Sequence, residues 1–335
     1  MSLLKITRFF LSPELVPQPE WDGSTTTNAS DLKLEWSNEP TFQFKVLRVS
    51  DDEVLYSTYG YVIVFEDQFL EVKTSMIQNY TIYGLAENAH DFLLGNKYTQ
   101  TFYAVDAGNT IDGNSYDTHP FYQETRYHNG KPATAHGVYA RNALGQEWFL
   151  RNHSLTYRTL GGSIDMYFLS GQNDNGSSSA LQTIKQYQTG CVGTPAMQMF
   201  WTFGFHQSRW GYESISVMES VVQGYKDADI PLECMWNDLD IYVLYRDFTN
   251  APWTFPAVPF RQWIEYLHPR DQYYVPIIDS NTYAPNPENE SDAYAPWSRG
   301  AELETFVRDP TTGGFYYGDN LARQVVETPM GLLLY

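Results

Sequence analysis

The sequence predicts two fold types in succession: an antiparallel β-sandwich over residues 1–185, then parallel βα units over residues 186–335. Three observations carry this. Short β-branched and aromatic runs separated by Gly, Asn and Asp fill the first half. Apolar faces of helical period appear in the second half. Two apolar runs there each end in aspartate, as strands opening on a site do.

The strand-like runs are LKLEW (32–36), FQFKVLRV (42–49), VLYSTYGYVIVF (54–65) and LTYRTLGGSIDMYFLSG (155–171). Their partial alternation suits sheets with one face on a core and the other in water. QNDNGSSSA (172–180) is small and polar, a surface loop or interdomain turn. In SISVMESVVQGYKDADIP (214–231), Met218, Val221, Val222 and Tyr225 share one helical face. Ser216 and Glu219 are spaced as a capping box, and Pro231 lies past the end. LECMWND (232–238) follows as a strand buried on both faces. Phe260, Trp263, Ile264 and Leu267 form a second helical face, and YYVPIID (273–279) a second strand. Pro276 sits awkwardly there, because proline removes a donor from a central strand. Helix–strand alternation predicts a parallel sheet, as a barrel or a doubly wound sheet.

With 335 residues, 42% of them hydrophobic and 16% aromatic, the chain can bury a large core and is expected to hold about two domains. A net charge of −19 argues against nucleic acid or an anionic membrane surface as partner, since either needs a basic face. No run is long and apolar enough for a membrane span, and MSLLKITRFFLSPEL is too short and interrupted for a secretory signal. Cys191 and Cys234 are too few for a disulfide framework. Sequons begin at Asn28, Asn79, Asn152, Asn175 and Asn289, which leans towards the secretory pathway.

The chemistry-bearing stretch is WNDLDIYVLYRDFTN (236–250). If the strand runs through both acids, Asp238 and Asp240 lie on one face roughly 6 to 7 Å apart. Paired glycosidase carboxylates must flank the scissile bond, whereas strand neighbours approach it from one side. Asp238 is better placed to accept from two sugar hydroxyls, and Asp240 to brace the loop against Arg246. The alternative for each is a solvated charge or a cap. Trp210, in FGFHQSRWGY (203–212), is either core or a stacking platform for a sugar. The histidines show no metal-ligand spacing, so no metal is assigned. No G-x-S-x-G elbow and no phosphate-cradling Gly motif follows a strand.

Eight blocks, in order, carry a resemblance: YTIYGLAE (80–87), FYAVDAGN (102–109), SYDTHPFY (115–122), AHGVYARN (135–142), LTYRTLGGSIDMYFLSG (155–171), GTPAMQMFWTFGFHQSRWGY (193–212), IPLECMWNDLDIYVLYRDFT (230–249) and VPIIDSNTYAPNPENESDAYAPWSRGAE (275–302). With them the sequence resembles glycoside hydrolase family 31, and most of all its secreted fungal α-glucosidases. The resemblance implies a galactose-mutarotase-like β-sandwich leading into a (β/α)8 TIM barrel. It also implies retaining hydrolysis of α-linked glucose by two aspartates, with no metal or organic cofactor, and a glucose or α-glucoside oligosaccharide ligand. On this resemblance Asp238 binds hydroxyls of the terminal sugar, Leu239 is its apolar neighbour, and Trp210 walls the pocket. Asp106 belongs to the sandwich loop that reaches the barrel mouth, and Thr282 lines the pocket where the family usually has Ile.

Two departures limit this. The nucleophile block, Asp followed by Met-Asn-Glu, and the later acid/base aspartate are absent, so no catalytic residue is assigned to this chain. A complete barrel takes about 250 residues, more than follow Gly193, so the expectation is the first part of a barrel only. The remainder would come from a companion chain or from the parent enzyme, itself secreted or wall-bound. A non-catalytic sugar-binding protein, or an α-xylosidase or α-glucan lyase parent, are the alternatives.

Overall fold

The computed structural model describes residues 31–104, 111–113, 118–279 and 281–318, with the backbone of 331–333. The chain divides into two compact units after Pro195.

The first unit is built from twelve described strands and one α-helix that runs on into a π-helical turn, Gln188–Val192. In order they are β1 (Leu32–Ser37), β2 (Gln43–Arg48), β3 (Val54–Ser57), β4 (Val64–Glu66), β5 (Phe69–Ser75) and β6 (Tyr80–Ala86), then β7 (Tyr98–Phe102), β8 (His119–Arg126), β9 (Thr134–Ala140), β10 (Gln146–Arg151), β11 (Ser154–Thr159) and β12 (Met166–Leu169), and last α1 (Ala180–Tyr187). A five-stranded sheet, β4-β5-β11-β10-β7, and a four-stranded sheet, β12-β9-β8-β6, enclose one core with the three-stranded sheet β1-β2-β3. All described pairings here are antiparallel. Alternation drives the layering: Leu70, Val72 and Thr74 of β5 are buried and the residues between them are not. Trp148 of β10 meets Tyr122 of β8 edge-on at 5.9 Å between ring centres, across the core.

β8 and β9 break the alternation, because both of their faces are covered. Ser179 caps α1 by accepting from the Gln182 N–H, and the helix lies over the outer face of the sheet. Tyr187 stacks on Phe121 at 4.1 Å. Gly137 allows this approach: a Cβ there would fall 2.7 Å from both the Phe121 ring and the Thr183 methyl. The polar stretch read as a surface loop or interdomain turn leads into a helix of the first unit, which runs on past residue 185.

One corner of the sandwich is ionic. Glu124 and Arg126, both buried on β8, form a two-point pair at 2.7 and 3.1 Å. Glu53 joins Arg126 (3.2 Å) to buried Arg48 (2.7 Å). Nε2 of His136 lies 3.3 Å from Glu124. The remaining guanidinium N–H groups donate to the carbonyls of Val54, Leu55, Ala135 and Ser170. Each buried charge therefore has partners, the condition for tolerating it at all.

The second unit contains β13 (His206–Gln207), α2 (Ile215–Asp227), β14 (Cys234–Asn237), α3 (Ala257–Leu267), β15 (Tyr273–Pro276), β16 (Asn281–Tyr283) and α4 (Ala295–Glu302). β13, β14 and β15 form a parallel sheet in that order, three strands of a barrel that does not close among the described residues. Met218 and Val222 of α2, and Phe260, Trp263 and Leu267 of α3, are buried in its core. Two details correct the sequence reading. The cap of α2 is Ser214, which accepts from the Val217 N–H, and not Ser216. Pro276 ends β15 opposite Asn237, and the next residue, Ile277, donates to the Asn237 carbonyl at 2.8 Å, so the proline breaks no ladder.

Candidate sugar-binding site

The strand β14 stops at Asn237, and the chain turns at Asp238. The expected two-residue strand spacing between Asp238 and Asp240 therefore does not arise. Asp238 instead caps a short 3-10 turn, Leu239–Ile241, with Oδ1 accepting from the Leu239 N–H at 2.7 Å. Among the described residues its Oδ2 accepts no hydrogen bond, and the side chain is half-buried at the carboxyl end of the strand. Leu239, also half-buried, packs partly on the unit's core.

Asp240 serves a different segment. Its Oδ2 accepts from the Gly211 N–H at 2.9 Å, so it holds the turn that bears Trp210. The expected partner, Arg246, pairs with Asp292 at 2.6 Å and stacks over Tyr283 at 3.8 Å. Burial pushes the Asp240 carboxyl upward, opposed by the Gly211 N–H. Gly211 has φ of +100°, a backbone that favours glycine and lets the chain reverse directly after Trp210. The Trp210 ring is 53% exposed, so it is a surface aromatic and not core.

These bonds tie the turn after Trp210 to Asp240, two residues past Asp238 at the end of β14. Thr282 lies on β16 and is buried at 2% exposure. Its segment is tied to that of Leu239 by the Tyr242 hydroxyl, which donates to the Ile277 carbonyl. Asp106 lies outside the described residues. Sequence reasoning gave no role to Asp247, the acid that directly follows Arg246. It is 4% exposed, its Oδ2 accepts from the Asp279 N–H at 3.0 Å, and the Tyr294 hydroxyl donates to its carbonyl. Burial, then the negative charge of Asp279, push its carboxyl up to about 7. No periodicity marks a single buried acid within a polar run, so no sequence signal pointed to it.

A groove lined by Lys226, Leu232, Trp263 and Gln272 lies by the opposite, amino-terminal end of β14. That end of parallel βα units serves stability rather than chemistry. Cys191 and Cys234 are buried free thiols, each pushed up to about 11 by burial, and so stay protonated and unreactive near neutrality. Asn79, Asn152, Asn175 and Asn289 are exposed; Asn28 lies outside the described residues.

Comparison with known proteins places this geometry. Residues 195–328 match the model of the glycosyl hydrolases family 31 TIM-barrel domain. The chain is 41% identical over 330 residues to an α-glucosidase of Aspergillus niger, covering 92% of this chain and 33% of that protein. It is 40% identical over 313 residues to an α-glucosidase of Schizosaccharomyces pombe, covering 89% and 32%. Among solved structures it superposes on a glucosidase II α subunit with a TM-score of 0.70 at 14% identity, covering 90% and 38%. A Flavobacterium johnsoniae family 31 dextranase complexed with isomaltotriose gives 0.67 at 17%, covering 87% and 33%. The chain spans about a third of the length of the curated relatives it matches. In sequence and in fold, over that shared third, this chain is similar to glycosyl hydrolase family 31, whose TIM-barrel domain its residues 195–328 match.

Proposed function

We propose that this chain supplies the sugar-holding part of a retaining, exo-acting α-glucosidase, gripping the terminal α-linked glucose of an oligosaccharide. The observation that carries the reading is Asp238. Its backbone is fixed by the strand end and one oxygen by the Leu239 N–H, while the other oxygen is uncommitted among the described residues. A half-buried carboxylate so held, next to an apolar Leu and two residues from the acid that fixes the turn of exposed Trp210, can accept from sugar hydroxyls while an aromatic face stacks on the ring. The α-glucosidase names of its relatives agree with this substrate class. Bond cleavage is assigned to groups outside these 335 residues, because the sequence has no Asp-Met-Asn-Glu block.

Titration calorimetry with maltose and glucose tests the reading. Asp238→Asn keeps the cap acceptor but loses the charge, and is expected to weaken binding by about tenfold, the scale of a charge-assisted hydrogen bond. Unchanged affinity, or no binding by the unaltered chain, sinks the proposal. Secretion is part of the same reading. Exposure of Asn79, Asn152, Asn175 and Asn289 supports glycosylation there, and an N-glycosidase should increase the mobility of the protein made in a eukaryotic host.

A further inference from the structure

The segment that leaves Asp238, residues 239–250, is fastened to residues 277–294 at several points. Tyr242 donates to Ile277, Arg246 pairs with Asp292, and the Asp292 carboxylate also accepts from the Tyr283 hydroxyl (2.9 Å) and the Asn286 N–H (2.6 Å). These contacts lie at the edge of the unit or use partly buried groups. Asp247 is the one acid of this network in the deep interior. Oδ2 accepts from the Asp279 N–H, its own carbonyl accepts from Tyr294, and Oδ1, buried, makes no hydrogen bond among the described residues. A buried carboxylate with an unmet oxygen, close to a second carboxylate, is costly. Such a cost marks a position where local geometry outweighs stability.

We propose that Asp247 is a positioning residue of the sugar pocket: it clamps the Asp279 turn, and with it the start of the Thr282 strand, to the segment that carries Asp238 and Leu239. This rests on the sugar-binding reading above. The clamp holds while Asp247 keeps its proton. Once ionised, it accepts more strongly from the Asp279 N–H, but the cost of its burial and the facing Asp279 charge outweigh that gain; the Tyr242 and Tyr294 hydroxyls are the other titratable groups beside it. The Arg246 guanidinium, next in sequence, is engaged by Asp292. Burial and the Asp279 charge, opposed by the Asp279 N–H, push its carboxyl up to about 7, so the clamp loosens as pH rises through neutrality.

Two variants of the whole chain, Asp247→Asn and Asp247→Ala, test this by hydrogen–deuterium exchange of the Asp279 amide and by maltose titration at pH 6 and pH 8. Asn retains an acceptor without a charge. It should keep both readouts within about twofold of the unaltered protein at pH 6 and show no loss of affinity at pH 8. The unaltered protein should lose affinity several-fold over the same interval. Ala should speed exchange at Asp279 and weaken maltose, each by about tenfold, the worth of one buried hydrogen bond. If Ala leaves Asp279 exchange unchanged, or Asn shows the same fall with pH as the unaltered chain, the clamp is overturned. If the unaltered chain binds no glucoside, the sugar-binding reading fails, and the exchange data alone decide on Asp247.

Discussion

Asp240 and Asp238 sit two residues apart and do different work, a difference of backbone rather than of chemistry. Once the chain turns at Asp238, Asp240 can reach Gly211, and the aromatic that precedes Gly211 inherits its position from that bond. Asp240→Ala should free the Trp210 turn at a cost of about 1 kcal/mol. A Trp fluorescence response to maltose that is reduced in the variant would check it; an unchanged response would mean that the turn holds itself. The residue identities were legible in the sequence, the partners were not. Arg246 was the natural guess for Asp240, because ion pairs between sequence neighbours are common, yet the structure gives Asp240 a backbone amide and Arg246 a more distant acid.

At the scale of elements, legibility followed burial. β2, β3, β11 and β14 announced themselves through apolar runs, and α2 and α3 through helical period. β8 was hidden, since HPFYQETR carries buried Gln, Glu and Arg where a core strand is expected to be apolar. The burial of Arg126 depends on distant partners, Glu53 and the carbonyls of Val54 and Leu55, which no local window contains. α1 was hidden for the opposite reason, its ALQTIKQY being largely polar. The contact that seats it is at Gly137, so Gly137→Ala should lower stability by about 1–3 kcal/mol through overpacking against Phe121 and Thr183. Urea unfolding followed by circular dichroism measures it, and an unshifted midpoint would show that α1 can move aside. In the second unit, Met218→Ala, on the buried face of α2, should cost about 2–5 kcal/mol by leaving a cavity.

For the molecule as a whole, two buried groups give the units opposite responses to acid. Burial, with Arg126 and Arg48 nearby, holds His136 neutral and well below its ordinary range. The unfolded chain takes up a proton near pH 6.5 that the folded sandwich refuses, so His136's contribution is whole above that pH and falls as pH drops. Asp247 is the reverse: raised to about 7, it keeps a proton that the unfolded chain releases near 3.8. Its contribution is whole at the acid end and is lost as pH climbs to about 7. Glu124, raised by burial, acts in the same direction as Asp247 but within the sandwich, which makes variants the cleaner test. Each slope approaches about 1.4 kcal/mol per pH unit for one proton. Scanning calorimetry between pH 5 and 7 should therefore show His136→Asn flattening the acid loss of the first unit and Asp247→Asn flattening the alkaline loss of the second. Parallel curves for variant and unaltered protein would refute the assignment.

Among the described residues β13 is an outer strand of its sheet, only two residues long, and Met197, Phe200 and Phe203 near it in sequence are largely open to water. An outer strand with greasy neighbours is a template on which another extended backbone can zip itself, whichever chain offers one. Handling this polypeptide at high concentration should thus favour self-association seeded at residues 196–207. A lysine placed at Phe203 would be expected to suppress light scattering while leaving the sugar affinity untouched.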